Sequence, residues 1–150
     1  MDKPFQYLLR VRYSECDAQL VVFNARYGDY VDVAGTEYFR VLFGGYQMLL
    51  EQGLDNQVVK LNTSWKAAAR FDDVLVISVE TSHIGTTSFS LRLSFSRYNT
   101  NEELAVSEIT YVMVDTHTYQ KTPIPEKLRI KLHHGAMNVI TDHAGVQHAK

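Results

Sequence analysis

Alternation of apolar and polar residues governs most of the chain after Gln57. Val59, Leu61, Thr63, Trp65, Ala67, Ala69 and Phe71 alternate with Lys60, Asn62, Ser64, Lys66, Ala68 and Arg70, the period of two that a half-buried strand requires. Asp72-Asp73 marks a turn. The run from Val74 to His83 is apolar on both parities at its start, as in a strand covered on both faces. Gly85 interrupts it. Phe89, Leu91, Leu93 and Phe95 then alternate with Ser88, Ser90, Arg92, Ser94 and Ser96. Asn99-Thr100-Asn101 reads as a turn, and Leu104 to Asp115 as the last long strand. Pro123 and Pro125 end the sheet, and Pro125 to His133 fits a short helix with proline at its start.

The first third has a different rhythm. Phe5 to Tyr13 is β-rich and predicts a first strand. Tyr27, Val31, Ala34, Tyr38 and Val41 recur at helical spacing, with Asn24 as a favoured N-cap residue and Gly44-Gly45 as the stop. Gly28 and Gly35 share one side of this helix, an arrangement that suits close approach to a sheet. A second short helix fits Tyr46 to Gln52. Strand, long helix and then four strands joined by short turns predict an α+β domain, because short turns enforce antiparallel neighbours. The expected architecture is one long central helix wrapped by a curved antiparallel sheet of about five strands. The domain is expected to span residues 1–134, with 135–150 as a weakly ordered tail.

The 150-residue length suits one domain, and 45% hydrophobic against 21% charged residues is globular composition. A net charge of −2 argues against nucleic-acid binding through phosphate neutralisation. Charges at Asp2, Lys3, Arg10 and Arg12 break up the N-terminus, and no apolar run has the length of a signal peptide or a membrane span. A cytoplasmic protein is expected. The single cysteine, Cys16, rules out an internal disulfide and a cysteine-rich zinc site. Adjacent His133 and His134 complete no metal motif, and no GxSxG, Walker or dinucleotide motif is present. No metal or cofactor is expected.

Chemistry concentrates in Tyr13-Ser-Glu-Cys-Asp-Ala-Gln-Leu-Val-Val-Phe-Asn-Ala-Arg-Tyr27. Glu15 and Asp17 precede an uncharged, largely apolar connection. Desolvation there would raise a carboxylate pKa, as a general base often requires. The first amides of the following helix lack intrahelical partners and suit a developing oxyanion. A base and an oxyanion hole on one loop-to-helix turn can hydrolyse an activated acyl group. The same carboxylates can instead cap the turn or pair with Arg10, Arg12 or Arg26. Cys16 is a poor nucleophile, because two flanking carboxylates push its pKa up.

This segment resembles the 4-hydroxybenzoyl-CoA thioesterase-like branch of the hot-dog fold superfamily. That branch carries an acid-x-Asp pair, a glycine, an apolar stretch, and Asn, His or Tyr at the start of a long helix. Glu15-Cys16-Asp17 stands at the pair and Val21-Val22-Phe23-Asn24 leads into the helix. Leu20 replaces the usual glycine, and a branched side chain disfavours the positive φ that glycine permits. Gly85-Thr86-Thr87-Ser88 resembles the turn beside the pantetheine arm, and Thr122-Pro123-Ile124-Pro125-Glu126 the segment after the last strand. The element order agrees over about residues 5–133.

The resemblance implies hydrolysis of acyl-CoA thioesters, or of acyl-carrier-protein thioesters. Asp17 would be general base or nucleophile, and the Asn24 amide would polarise the carbonyl. Thr87 and Ser88 would lie near pantetheine. It also implies a homodimer or homotetramer with the site at the protomer interface. Phe23 and Tyr27, with Leu20 and Tyr30, are candidates to line an acyl pocket. The CoA phosphates need cations. Lys66, Arg70, Arg92, Arg97, Lys121 and Arg129 are candidates, with Lys121 and Arg129 preferred because they flank the proline segment. Two other readings compete. One is a non-catalytic domain that senses acyl thioesters. The other is a hot-dog dehydratase or hydratase, which would need an acid–histidine pair, with His83 the candidate histidine.

Overall fold

The structure is a computed structural model and describes residues 1–146. In chain order the elements are β1 (Phe5–Arg10), a 3-10 turn (Tyr13–Glu15), α1 (Arg26–Phe43), α2 (Tyr46–Glu51), β2 (Leu54–Trp65), β3 (Val74–Ile84), β4 (Ser88–Arg97), β5 (Glu103–Asp115), α3 (Glu126–His134) and β6 (Ile140–Asp142). The strands form one sheet in the order β2-β5-β4-β3-β1-β6. The first five strands pair antiparallel, whereas β6 runs parallel to β1 with Gln6 opposite Ile140.

The expected antiparallel sheet of about five strands is therefore corrected to a mixed sheet of six. β6 has only 3 residues, too few to show a period. It comes from the segment expected as a weakly ordered tail. Beyond it, Ala144 and Val146 join Leu8, Val74 and Val76 in a small apolar cluster. Residues 147–150 lie outside the described residues.

Helix α1 presents Tyr27, Tyr30, Val31, Ala34, Tyr38, Phe39 and Leu42 to the core, while Val41, expected on that face, is exposed. The stripe advances from Tyr38 to Leu42, and at ~3.6 residues per turn position 41 falls off it. The partners are the same-side residues Phe89, Leu91, Leu93 and Phe95 of β4, with Ile109 and Tyr111 of β5. Phe39 meets Phe89 and Tyr111 edge-on, and Tyr27 meets Phe95 in the same way. A Cβ on Gly35 would stand 3.2 Å from the Tyr111 hydroxyl, so this glycine does permit close approach. Gly28 does not carry that role, because its Cβ would meet Leu61 at an ordinary 3.9 Å. Gly44 ends the helix at φ 88°, where its amide bonds the Arg40 carbonyl.

The opposite face of the central strands carries Ser90, Arg92, Ser94 and Ser96 of β4, so the sheet back is polar there. Exposed apolar side chains gather instead on edge strand β2, at Val58, Val59, Leu61 and Trp65. Among the described residues, no helix is long and apolar enough to cross a membrane.

Candidate active site

The connection from Glu15 to Asn24 is a tightly bonded loop. The Asp17 amide donates to Val21 O at 2.9 Å, and the Phe23 amide to Glu15 O at 3.0 Å. The tip is closed by the Leu20 amide on Asp17 O at 2.9 Å, and the Asp17 carboxylate accepts the Gln19 amide at 2.8 Å. Leu20 takes the left-handed conformation, φ 60°, despite its side chain. A leucine held in this conformation costs roughly 1–2 kcal/mol. The loop is moored to the strand connection by Val22 N–H on Ala69 O and Phe71 N–H on Leu20 O.

The two acids have opposite environments. Glu15 is 7% exposed and accepts the Arg12 amide at 2.8 Å, the Arg12 guanidinium at 2.8 Å and the Tyr30 hydroxyl at 3.0 Å. Burial pushes its pKa up, but the bonds from Arg12 and Tyr30 outweigh burial and hold the carboxyl below its ordinary value. Glu15 is therefore an ionised bracket between the loop and α1. Asp17 is exposed in the single chain. The desolvation that the apolar connection suggested for the acids falls on Glu15, because the 3-10 turn directs its chain position inward against Tyr30. Burial, followed by Glu15 and Asp17, raises the Cys16 thiol, consistent with an inert cysteine.

Asn24, expected as the N-cap, lies outside the helix. Ala25 holds that position and no side chain caps the end. The amides of Arg26 and Tyr27 bond Phe23 O and Asn24 O, at 2.8 and 3.2 Å. The amides of Asn24 and Ala25 make no hydrogen bond to described residues. Beside them lies a groove of about 270 Å³ lined by Asn24, Tyr27, Trp65 and Lys66 among others; Asp17 and Phe23 are not in its lining. Phe23 is exposed, whereas Tyr27 is a core residue whose edge reaches the groove. Trp65, the last residue of β2 and the middle of an alternating run, is a wall residue that the sequence did not single out. Its period marked it as strand but could not show that it meets Tyr27 edge-on at 5.9 Å.

Of the remaining candidates, Lys66 lines the groove and Arg70 bridges to Val21 of the loop, whereas Thr87, Ser88, Lys121 and Arg129 make no bond to it among the described residues. The Gly85 amide on Ser88 O closes the β3–β4 connection, and the Met113 amide on Thr87 O ties it to β5. Arg129 donates to Gly85 O at 3.0 Å and Thr86 O at 3.3 Å, tethering α3 to the same turn. Lys121 is exposed and has no side-chain bond to described residues, whereas Lys66 pairs with Glu103 and Arg97 with Asp73 and Glu102. Among the described residues, no three His, Cys, Asp or Glu groups come together as a metal site.

A family model for the thioesterase-like superfamily matches residues 11–132. The acyl-CoA thioesterase YbgC of Haemophilus influenzae is 31% identical over 137 residues, covering 89% of this chain and 98% of that protein. Among solved structures, a 1,4-dihydroxy-2-naphthoyl-CoA thioesterase from Synechocystis superposes with TM-score 0.79 at 17% identity, over 86% of this chain and 95% of that one. A Staphylococcus aureus protein solved in complex with CoA gives 0.83 at 12% identity, over 89% and 84%.

Proposed function

The chain belongs to the thioesterase-like superfamily and is a thioester hydrolase, and from that premise we propose that it cleaves acyl-CoA at the Asp17 loop. One observation carries the assignment. Asp17 is held by the Gln19 amide on the loop that leads to two unpartnered amides, Asn24 and Ala25. As general base, Asp17 takes a proton from water as the water attacks the thioester carbonyl. The Asn24 amide stabilises the oxyanion, whose collapse expels the CoA thiolate. As nucleophile, Asp17 would instead form a mixed anhydride that water then opens. Either role needs an accessible carboxylate oxygen, which Glu15, buried and braced on both oxygens, does not offer.

A homodimer, or a tetramer built from it, completes the proposal. The exposed β2 edge, with Val58, Val59, Leu61 and Trp65, suits pairing with a second copy. That copy would cover the groove at Asn24, and Phe23 and the edge of Tyr27 would then contact the acyl group. Thr87 and Ser88 would flank pantetheine. Lys121 is the better phosphate partner, because it is exposed and its side chain is free to turn, whereas Arg129 is fixed on the β3–β4 turn by Gly85 O and Thr86 O.

The test is thiol release from a panel of aromatic and aliphatic acyl-CoA thioesters, with acyl-carrier-protein thioesters as a second series. Asp17→Asn retains an oxygen for the Gln19 amide but removes the base, so turnover should fall by about 10²–10⁴-fold with the melting temperature unchanged. Near-parent turnover by this variant would refute the role of Asp17. Thioester binding without thiol release by the parent would favour a sensing domain.

A further inference from the structure

A cavity of about 560 Å³ opens between β1, α1 and the segment after β6, and it shares no lining residue with the groove at Asn24. Leu9, Val33 and the rings of Tyr7 and Tyr30 supply apolar wall. Three guanidiniums, Arg10, Arg12 and Arg26, line it against two carboxylates, Glu15 and Asp29. Both carboxylates are already neutralised. Glu15 takes Arg12 Nε and Nη2, and Asp29 takes Arg26 Nη1 at 3.1 Å. Arg10 gives Nε to Ala144 O and Nη1 to Asp72. Each guanidinium carries five N–H donors, so every one of the three keeps donors beyond these bonds. The two tyrosine hydroxyls in the wall are also engaged, Tyr7 with His143 Nδ1 at 3.0 Å and Tyr30 with Glu15, while Ser14 adds a third hydroxyl to the lining.

We propose that this cavity is a second binding site, for a small carboxylate with an apolar body, such as an aromatic or medium-chain acid. The spare guanidinium donors match the two oxygens of a carboxylate, and Leu9, Val33 and the tyrosine rings match the body. The volume lies in the range of small-molecule sites, roughly 300–1,000 Å³. Inorganic phosphate fits less well. It would leave the apolar wall wet and set a second negative charge beside Glu15 and Asp29. A neutral ligand would leave the guanidiniums unused. The walls are the segment just before Asp17, through Arg12, Ser14 and Glu15, and the first turns of α1. An occupant therefore bridges the two elements that carry the candidate active site. That coupling rests on the hydrolase reading, but the binding itself does not.

Calorimetric titration of the whole protein tests it. The probes are sodium benzoate and sodium hexanoate, with benzyl alcohol and hexanol as neutral counterparts and inorganic phosphate as the bare anion. Saturable carboxylate binding is expected, at least tenfold tighter than for the alcohols or phosphate. Arg26→Gln removes a rim guanidinium, and Val33→Trp fills the cavity from a position that is 43% exposed. Each should weaken carboxylate binding at least tenfold, with melting curves confirming that the variants fold. Asp17→Asn should bind carboxylate like the parent. The proposal is overturned by absence of saturable binding in the millimolar range, by equal binding of the alcohols or phosphate, by binding indifferent to both cavity variants, or by loss of binding in Asp17→Asn. None of these outcomes bears on thiol release, so failure here leaves the hydrolase reading standing.

Discussion

Replacing Glu15 separates a structural acid from a chemical one. In Glu15→Ala the Tyr30 hydroxyl and the Arg12 amide lose their acceptor, and Tyr30 is only 3% exposed. An orphaned buried donor costs about 1–3 kcal/mol. Arg12 itself is largely exposed and is rehydrated cheaply. The total is about 3 kcal/mol, which for a chain of this length lowers the melting temperature by roughly 6–12 °C. Glu15→Gln keeps an acceptor but loses the charge assistance, so its loss should be about 1–2 kcal/mol. The pH dependence has a definite sign. The folded pKa of Glu15 is depressed, so its stabilisation is complete above the ordinary glutamate value near ~4.3 and fades as pH falls through the lower folded value. The difference in melting temperature between parent and Glu15→Gln should therefore be constant at neutral pH and shrink in acid. A double-mutant cycle with Tyr30→Phe should show coupling of about 1 kcal/mol. An unchanged melting temperature for Glu15→Ala, or a gap that widens in acid, would refute the bracket assigned to Glu15.

Other expectations follow from single positions. Leu20→Gly relieves a left-handed leucine worth roughly 1–2 kcal/mol but loosens the unfolded chain by ~0.5–1 kcal/mol, so the variant should melt at or slightly above the parent temperature. A clear fall would show that the half-exposed Leu20 side chain packs usefully. Gly35→Ala should destabilise by about 1 kcal/mol, because the Tyr111 hydroxyl at 3.2 Å sits on a ring held by Phe39 and Phe89. Gly28→Ala meets only Leu61 at 3.9 Å and should gain up to about 1 kcal/mol of helix propensity, so chemical denaturation should move the two variants in opposite directions. Val59→Lys places a charge on the exposed β2 edge and should shift sedimentation toward the monomer, with thiol release falling alongside. An unchanged sedimentation coefficient would remove β2 as the pairing edge.

Periodicity alone determined the central strands and the long helix, but not β2, where the alternating run expected as a half-buried strand to Phe71 ends at Trp65 and leaves Val59, Leu61 and Trp65 exposed. Strict alternation along β4 and the helical stripe from Tyr27 to Tyr38 put the same residues in the core that the structure buries, because burial of one face is what those periods encode. The turns at Asp72, Asn101 and Gly44 were equally legible, each occupied by a residue that tolerates positive φ. The short motif from Glu15 to Asn24 identified the candidate loop. What only tertiary structure decided were the matters that depend on distant neighbours. Sequence proximity treats Glu15 and Asp17 alike, but Tyr30 reaches only Glu15, and that contact makes one acid a buried bracket and leaves the other exposed. Leu20 argued against a positive φ, and the loop imposes it nonetheless, because bonds to Asp17 and Phe71 fix the backbone on both sides. The sixth strand is too short to announce itself. It exists because β1 offers an unpaired edge and Leu8 and Val76 an apolar patch for Ala144.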